Sequence, residues 1–78
     1  MLHIGKLIDA KRRERRMTQQ ELADKMGRYV TGVVRLMKEN ESMDTATLLE
    51  FCVALEYNFF KDLMREAEGR IRSLEFEV

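Results

Sequence analysis

The sequence predicts an all-α domain of five helices, to which a short C-terminal strand can be added. The chain has 78 residues, which is enough for one small domain with one core and too little for a multidomain enzyme. Charged residues make up 36% of it, and it has no proline or tryptophan, a composition that favours short helices over a β-sandwich. Apolar residues also recur at intervals of three and four, the spacing of a helix with one buried face.

The first two helices are predicted by an apolar stripe and a capping motif. Ile4, Leu7 and Ile8 lie at helical spacing and define the buried side of helix one. The segment 18–21, Thr-Gln-Gln-Glu, has the form of a capping box, in which the threonine and glutamate side chains each bond a backbone N–H at the start of a helix. Helix two therefore begins there, and Gly27 is expected to end it in a left-handed conformation.

The third helix is expected over about residues 29–38, starting at Tyr29 or Val30. Its buried face is predicted at four apolar positions: Val30, Val33, Leu36 and Met37. At 100° per residue the opposite face presents Thr31, Arg35, Lys38 and, less fully, Val34. The outer face of this helix is thus polar and cationic.

The fourth helix is predicted to be the main core helix, capped by Ser42 or Asp44. Its apolar positions are Leu48, Leu49, Phe51, Cys52 and Leu55. Asn58 is expected to stop this segment and to cap a short fifth helix. That helix would carry Phe59, Phe60, Leu63 and Met64, and the helical core would close near Arg65.

The last five residues, 74–78, alternate apolar and polar side chains, as does a strand with one covered face. A lone strand needs a neighbour, and the natural neighbour is the same strand of a second copy. A frayed helical tail is the alternative. A chain this short also has a small core, so self-association would stabilise it. We therefore expect a domain over residues 1–65, a tail over residues 66–78 and a homodimer.

The charges divide the chain into a basic half and an acidic half. Residues 1–38 hold ten Lys and Arg against four Asp and Glu, and residues 39–78 hold four against ten. A basic half folded onto one surface would attract a polyanion such as nucleic acid, while the acidic half would face away or meet a protein partner. The alternative is that these charges only solvate helix faces.

Several classes of function are disfavoured by the sequence. The longest apolar stretch, around Phe51–Leu55, is too short to cross a bilayer, and the first residues lack the pattern of an export signal, so a cytoplasmic protein without membrane association is expected. Cys52 is the single cysteine and His3 the single histidine, and neither has ligands at metal-binding spacing. We therefore expect no metal, no cofactor and no catalytic residue, and no enzyme.

Two segments carry a resemblance to a known family. The run MTQQELADKMG at residues 17–27 resembles the second helix and turn of the Cro and phage-repressor-like (Xre) helix-turn-helix family. Residues 42–49 with residues 57–60 are similar to small regulators of that family from Bacteroides-type bacteria. The resemblance covers roughly residues 4–64 and implies a lambda-repressor-like fold. It also implies a transcriptional regulator that binds double-stranded DNA as a homodimer, with helix three in the major groove.

The resemblance assigns roles to individual residues. Gln19 would hydrogen-bond a phosphate at the start of helix two, and Val30, Thr31 and Arg35 match the base-reading positions. Arg35 could bind guanine through two hydrogen bonds, whereas Thr31 and Val30 could contact a thymine methyl group. Arg28, Tyr29 and Lys38 are expected at phosphates, and Val34 borders the same face. The alternatives are core packing for Val30 and simple solvation for Arg35.

Four positions depart from the family pattern. Tyr29 stands where a Ser or Thr usually caps the recognition helix, and Arg28 replaces a small apolar residue, so its charge should reach outward. Met37 lies opposite Arg12, where many members have a Glu–Arg ion pair, so Arg12 is expected to reach solvent or phosphate. Gly32, inside helix three, indicates a close approach or a weak helix.

A second hypothesis is a protein-interaction module, such as an antitoxin or an accessory subunit. In that case the acidic half and the tail would contact a partner protein, and DNA binding would be secondary. The charge division is compatible with both hypotheses.

Overall fold

The computed structural model describes residues 2–39 and 43–77, with side chains described up to Leu74. The described residues form five helices and no strand. The helices are α1 (Ile4–Glu14), α2 (Gln19–Met26), α3 (Val30–Lys38), α4 (Thr45–Leu55) and α5 (Phe60–Glu77). The all-α, five-helix fold class is therefore confirmed.

Side-chain caps at the starts of α2, α4 and α5 are those that the local sequence predicts. The Glu21 N–H donates to Thr18 Oγ1 at 3.0 Å and the Thr18 N–H to Glu21 Oε1 at 3.1 Å, which completes the capping box of α2. The Thr47 N–H donates to Asp44 Oδ1 at 2.7 Å, so Asp44 caps α4, while Ser42 lies outside the described residues. The hydrogen bonds from Thr47 hold the pKa of Asp44 below its ordinary value. Asn58 also accepts the Phe60 N–H, at 3.0 Å.

The core lies among α1 to α4 and is closed by the turn into α5. Its largest fully buried side chains are Ile8, Leu22, Val33, Phe51, Leu55 and Phe59. Helix α3 packs against α1 and α2, and α4 packs against the same two helices. Burial of these apolar side chains supplies most of the driving force for folding. Because one side of α3 is used in the core, its other side is held facing outward.

The close contact between α1 and α3 depends on Gly5, which the sequence analysis did not identify. Gly5 is buried, and a Cβ placed there would overlap the carbonyl group of Met37 at the end of α3. Gly32 has the opposite environment, since a Cβ there would meet no atom within 4 Å. A close approach was one of two interpretations of Gly32, but no protein atom comes near that position. The close approach between helices lies at Gly5.

The expectation that Arg12 reaches solvent or phosphate is wrong. Its side chain is only 12% exposed, and it bonds Asp9 within α1, with Nη2 2.9 Å from Oδ1. Its Nη1 also donates to the Met17 carbonyl at 2.7 Å. The glutamate partner of the family pattern is absent at position 37, and the Arg12 guanidinium instead bonds an aspartate one helical turn away and a loop carbonyl. Met37 is buried, 6% exposed, in the place of that glutamate.

The C-terminal strand expected over residues 74–78 is also wrong. The fifth helix was expected to be short, but α5 continues to Glu77, and Val78 lies outside the described residues. A strand would need hydrogen bonds from a neighbouring strand, whereas a helix satisfies its backbone groups within the same segment. No other strand exists in the described part of the chain to offer that pairing.

Three side chains expected in the core are exposed. Leu49 on α4 is 54% exposed, and on α5 Leu63 is 38% and Met64 is 61% exposed. Helix α4 has apolar residues on all sides, so its outward side stays apolar. In the described residues, the apolar contact of α5 with the core is at its start, where Phe60 is half-buried next to the buried Phe59.

Among the described residues, no helix is both long enough and apolar enough to span a bilayer.

Candidate nucleic-acid interface

The α2–turn–α3 unit is built by backbone hydrogen bonds around Gly27. Gly27 has φ +66°, and its N–H bonds the Asp24 carbonyl at 3.2 Å, while the Arg28 N–H bonds the Ala23 carbonyl at 3.0 Å. These bonds satisfy the last carbonyl groups of α2, and three residues, 27–29, connect it to α3. The predicted end of α2 at Gly27 is confirmed. The two helices pack against each other, so α3 is held on the surface by α2 and α1.

The outer face of α3 is exposed and its charged groups are unpaired. Thr31, Gly32, Arg35 and Lys38 are all exposed. The side chains of Arg35 and Lys38 make no hydrogen bond or ion pair within residues 2–39 and 43–77. An unpaired guanidinium and an unpaired ammonium on one helix face are available to an anionic partner.

The two valines of this region lie at the edge of the exposed face. Val30 is half-buried and packs against the core, and Val34 is half-buried as well. Core packing, one of the two interpretations left open for Val30, therefore accounts for much of its side chain. Only the exposed part of each valine can contact a ligand.

Tyr29 begins α3 without capping it, as its side chain predicts. It occupies the N-cap position with extended backbone, and its side chain accepts no hydrogen bond from the helix. The ring is 89% exposed, so it contributes almost nothing to the core. A large exposed aromatic side chain at the start of α3 is a contact group for a ligand that lies along this helix.

Arg28 is paired with an acidic residue of the same chain. Its Nε lies 3.1 Å from Glu50 Oε1 and its Nη2 lies 2.6 Å from Glu50 Oε2, a two-bond contact between the turn and α4. These hydrogen bonds raise the pKa of Arg28 and lower the pKa of Glu50. Arg28 does point outward as expected, but Glu50 already holds its charge.

Gln19 is one of the residues that line an open groove of about 710 Å³ between α1 and α3. It is exposed at the first position of α2. Cationic residues border the same groove: Lys6 and Arg13 of α1 and Lys38 of α3. Arg13 is paired with Asp9 at 3.0 Å yet remains 73% exposed, and the Lys6 side chain has no partner among the described residues.

Lys6 and Arg13 were not among the site residues predicted from the sequence. Seven positions separate them along α1, which places them on one side of that helix. This spacing was a usable signal, but the apolar stripe of α1 alone does not tell which neighbouring helix its polar side adjoins.

The remaining candidates for chemistry have structural roles. His3 Nδ1 accepts the Lys6 N–H at 3.2 Å and caps α1, and Cys52 Sγ accepts the Phe59 N–H at 3.4 Å. Within the described ranges, no three His, Cys, Asp or Glu side chains are grouped to hold a metal ion. The arrangement provides a cationic face and no cluster of reactive groups.

Comparison with families of known proteins agrees with this geometry, although no individual curated protein or solved structure matches the chain significantly. A family model described as a Cro/C1-type HTH DNA-binding domain matches residues 8–66, which is more than half of the chain and includes α2, the turn and α3. With its exposed cationic α3 behind a glycine turn, the chain therefore belongs to the family of Cro/C1-type helix-turn-helix DNA-binding domains, and DNA is its partner.

Proposed function

We propose that this protein is a transcription regulator that binds specific sequences of double-stranded DNA with α3 in the major groove. The observation that carries the proposal is the outer face of α3, where Arg35 and Lys38 are exposed and unpaired within the described chain. Charged side chains without intramolecular partners bind an anion without first breaking a bond. The protein would act by occupying its site.

Arg35 is the proposed base-reading residue. It lies in the middle of the exposed face, and a guanidinium can donate two parallel hydrogen bonds to the O6 and N7 atoms of guanine. Thr31, one turn before it, would contact a thymine methyl group or a base edge. The exposed parts of Val30 and Val34 would add apolar contacts beside them.

The phosphate contacts are proposed on both sides of α3. Gln19 and Lys38 border the groove between α1 and α3, and Lys6 and Arg13 extend its cationic lining. The N-terminus of α2 adds its helix dipole at Gln19. Tyr29 would contact the opposite strand of the backbone. Arg28 would either stay paired with Glu50, which neutralises its charge, or exchange the Glu50 carboxylate for a DNA phosphate.

The proposed binding unit is a homodimer on a palindromic site. Two copies related by a two-fold axis would place their α3 helices one turn of DNA apart, about 34 Å. A single domain of this size contacts few base pairs, so doubling the contacts is what yields useful specificity.

The test is a selection of bound sequences from random duplex DNA at near-physiological salt, carried out with the wild type, Arg35→Ala and Arg72→Ala. The wild type should select a palindrome, and Arg35→Ala should lose preference at one base position per half-site, at a cost of roughly 1–3 kcal/mol. Arg72 is an exposed arginine of α5 without a described partner, so Arg72→Ala should select the wild-type sequence. An unchanged preference in Arg35→Ala would show that Arg35 does not read bases.

A second candidate is a protein-interaction module, an antitoxin or accessory subunit with secondary DNA binding. It is favoured by one observation: apart from Tyr29, the large apolar side chains exposed in the described residues lie on α4 and α5. This hypothesis expects truncation after Gly69 to abolish binding of a specific, identified partner protein while DNA binding persists.

A further inference from the structure

Helix α5 presents an apolar stripe at the spacing of a coiled-coil seam. Met64, Ala67, Ile71 and Leu74 follow one another at intervals of three, four and three, the a and d positions of a heptad repeat. All four residues are exposed, Met64 to 61%, Ile71 to 56% and Leu74 to 62%. Phe60, four positions before Met64, lies on the same stripe but packs against the bundle. The stripe therefore starts at the core and continues past it without cover.

The stripe lies on a helix that extends beyond its own domain. The molecule measures 48 × 22 × 18 Å and has a radius of gyration of 14.1 Å. A compact chain of this length would have a radius of gyration of about 11.5 Å. In proteins, most of the stability of a helix comes from packing along its apolar face. A monomer leaves that face of α5 in solvent.

We propose that the stripe is the dimerisation surface of this protein, and that it pairs in parallel with the same stripe of a second copy. The inference deepens the homodimer of the proposed function, and it assigns the pairing to α5 instead of a C-terminal strand. Residues 1–65 then form the DNA-binding domain, and the tail from residue 66 joins two copies.

A second copy fits the stripe because heptad positions are self-complementary. In a parallel pair, Met64 and Ile71 form layers with their own symmetry mates at a, and Ala67 and Leu74 do so at d. Each layer then buries an apolar side chain of both copies, over a helix that is about 27 Å long.

The charges beside the stripe favour the parallel arrangement. Glu68 lies at an e position and Arg70 at a g position, and both are exposed. A parallel pair places the Arg70 side of one helix along the Glu68 side of the other, so each edge of the seam carries opposite charges. An antiparallel pair instead sets Arg70 against Arg70 and Glu68 against Glu68 of the two copies. The intrahelical bond from Arg70 to Glu66, 3.1 Å long, is exposed and does not prevent this.

The parallel arrangement also suits the position of the domains. Both bundles then lie at the same end of the seam, which allows two α3 helices to meet one DNA duplex. An antiparallel pair would put the bundles at opposite ends of the seam.

The first experiment measures the mass of the full chain in solution, without DNA, over a concentration series. The wild type should be a dimer, and Ile71→Glu should be a monomer, because it places a charge in a seam layer. The control is Ser73→Glu, the same added charge on the opposite side of α5, which should remain a dimer. Helix content by circular dichroism shows that each variant is folded. A dimeric Ile71→Glu or a monomeric wild type overturns the proposal, whatever the DNA selection finds.

A further variant separates the seam from the exposed side of α4. Val53 is 72% exposed and lies on the other apolar surface of the protein, so a partner helix could pack there instead. Val53→Glu should leave the dimer intact. Loss of the dimer in this variant, with Ile71→Glu unaffected, would assign the interface to α4 and overturn the proposal.

Cysteine cross-linking tests the orientation. In a Cys52→Ser background, Ala67→Cys and Ile71→Cys should each form an interchain disulfide on mild oxidation, because parallel helices bring equivalent positions together. If neither variant cross-links alone and a mixture of the two does, the helices are antiparallel and the parallel seam is wrong.

Discussion

Gly5 and Gly32 are both helical glycines, but their surroundings predict opposite effects of alanine. At Gly5 a methyl group overlaps the backbone of Met37, so α1 and α3 must separate. We expect Gly5→Ala to lower the free energy of unfolding by roughly 1–3 kcal/mol or more, as overpacking does. At Gly32 the methyl group enters open space, and Gly32→Ala should raise the free energy of unfolding by about 0.5–1 kcal/mol.

Urea denaturation of the two variants and the wild type measures whether the free energy of unfolding falls in Gly5→Ala and rises in Gly32→Ala. Since both changes add the same methyl group to a helix, helix propensity alone would stabilise both. Equal stabilisation of the two variants would therefore contradict the close contact at Gly5.

Single residues were predictable where the deciding partner is a neighbour in sequence. The capping box of Thr18 and Glu21 and the left-handed Gly27 depend on groups within four positions, and all three were predicted correctly. Gly5 depends on the backbone of Met37, which the fold brings beside it, and no local pattern identifies that partner. The expectation for Arg12 was wrong although its partners are local, since Asp9 lies three positions before it and the Met17 carbonyl five positions after it.

At the scale of elements, the Arg28–Glu50 pair links the turn before α3 to α4, and it makes stability depend on pH. The hydrogen bonds from Arg28 lower the pKa of Glu50 in the folded state. The pair therefore stabilises the fold above about pH 4.3, the usual pKa of a glutamate, and this contribution is lost as the pH falls through the lowered pKa. Both side chains are 39% exposed, so the loss should be modest, about 0.2–1 kcal/mol.

Thermal unfolding of Glu50→Gln at pH 7 and at pH 3 isolates this contribution. The variant should be less stable than the wild type at pH 7 and nearly equal to it at pH 3. Glu56→Gln, which removes an exposed carboxylate whose side chain has no described partner and lies outside the α5 seam, serves as the control. A constant difference between Glu50→Gln and the wild type across this range would show that the pair does not titrate with folding.

The end of α5 shows why one periodicity can mislead. Leu74, Phe76 and Val78 alternate with glutamates, which predicted a strand, but five residues give little weight to either period. The same Leu74 continues the three-and-four spacing from Met64 through Ile71, and the structure follows that longer pattern. Read over residues 60–78, the helical period had more positions to support it.

At the scale of the whole molecule, the cationic side chains of the basic half form two sets: those paired within the chain and those without a partner among the described residues. Many of the cations of α1 and of its C-cap serve the fold: Arg15 Nε donates to the Leu55 carbonyl at 3.2 Å, and Lys11 pairs with Glu14 at 2.9 Å. Within the described part of residues 1–38, the cationic side chains without a partner are Lys6, Arg16, Lys25, Arg35 and Lys38. The composition indicated a basic half, but only the fold tells which charges remain for DNA.

Free cations at the interface should be visible in the salt dependence of DNA binding. Each phosphate neutralised by a cationic side chain adds about −0.9 to the slope of log K against log salt concentration. Lys38 is exposed, unpaired and next to the groove between α1 and α3, so Lys38→Ala should make the slope shallower by about that amount. Since a phosphate contact carries no sequence information, affinity should fall by a similar factor on all DNA sequences.

Fluorescence anisotropy titrations over a series of salt concentrations measure this slope. Lys61→Ala is the matched control, because it removes the same charge from the surface of α5, where Lys61 lies 5.5 Å from the Tyr57 ring centroid. Its slope should equal that of the wild type if DNA lies along α3 and α1. A Lys38→Ala slope equal to the wild type, together with a reduced slope for Lys61→Ala, would place the DNA on the opposite side of the molecule.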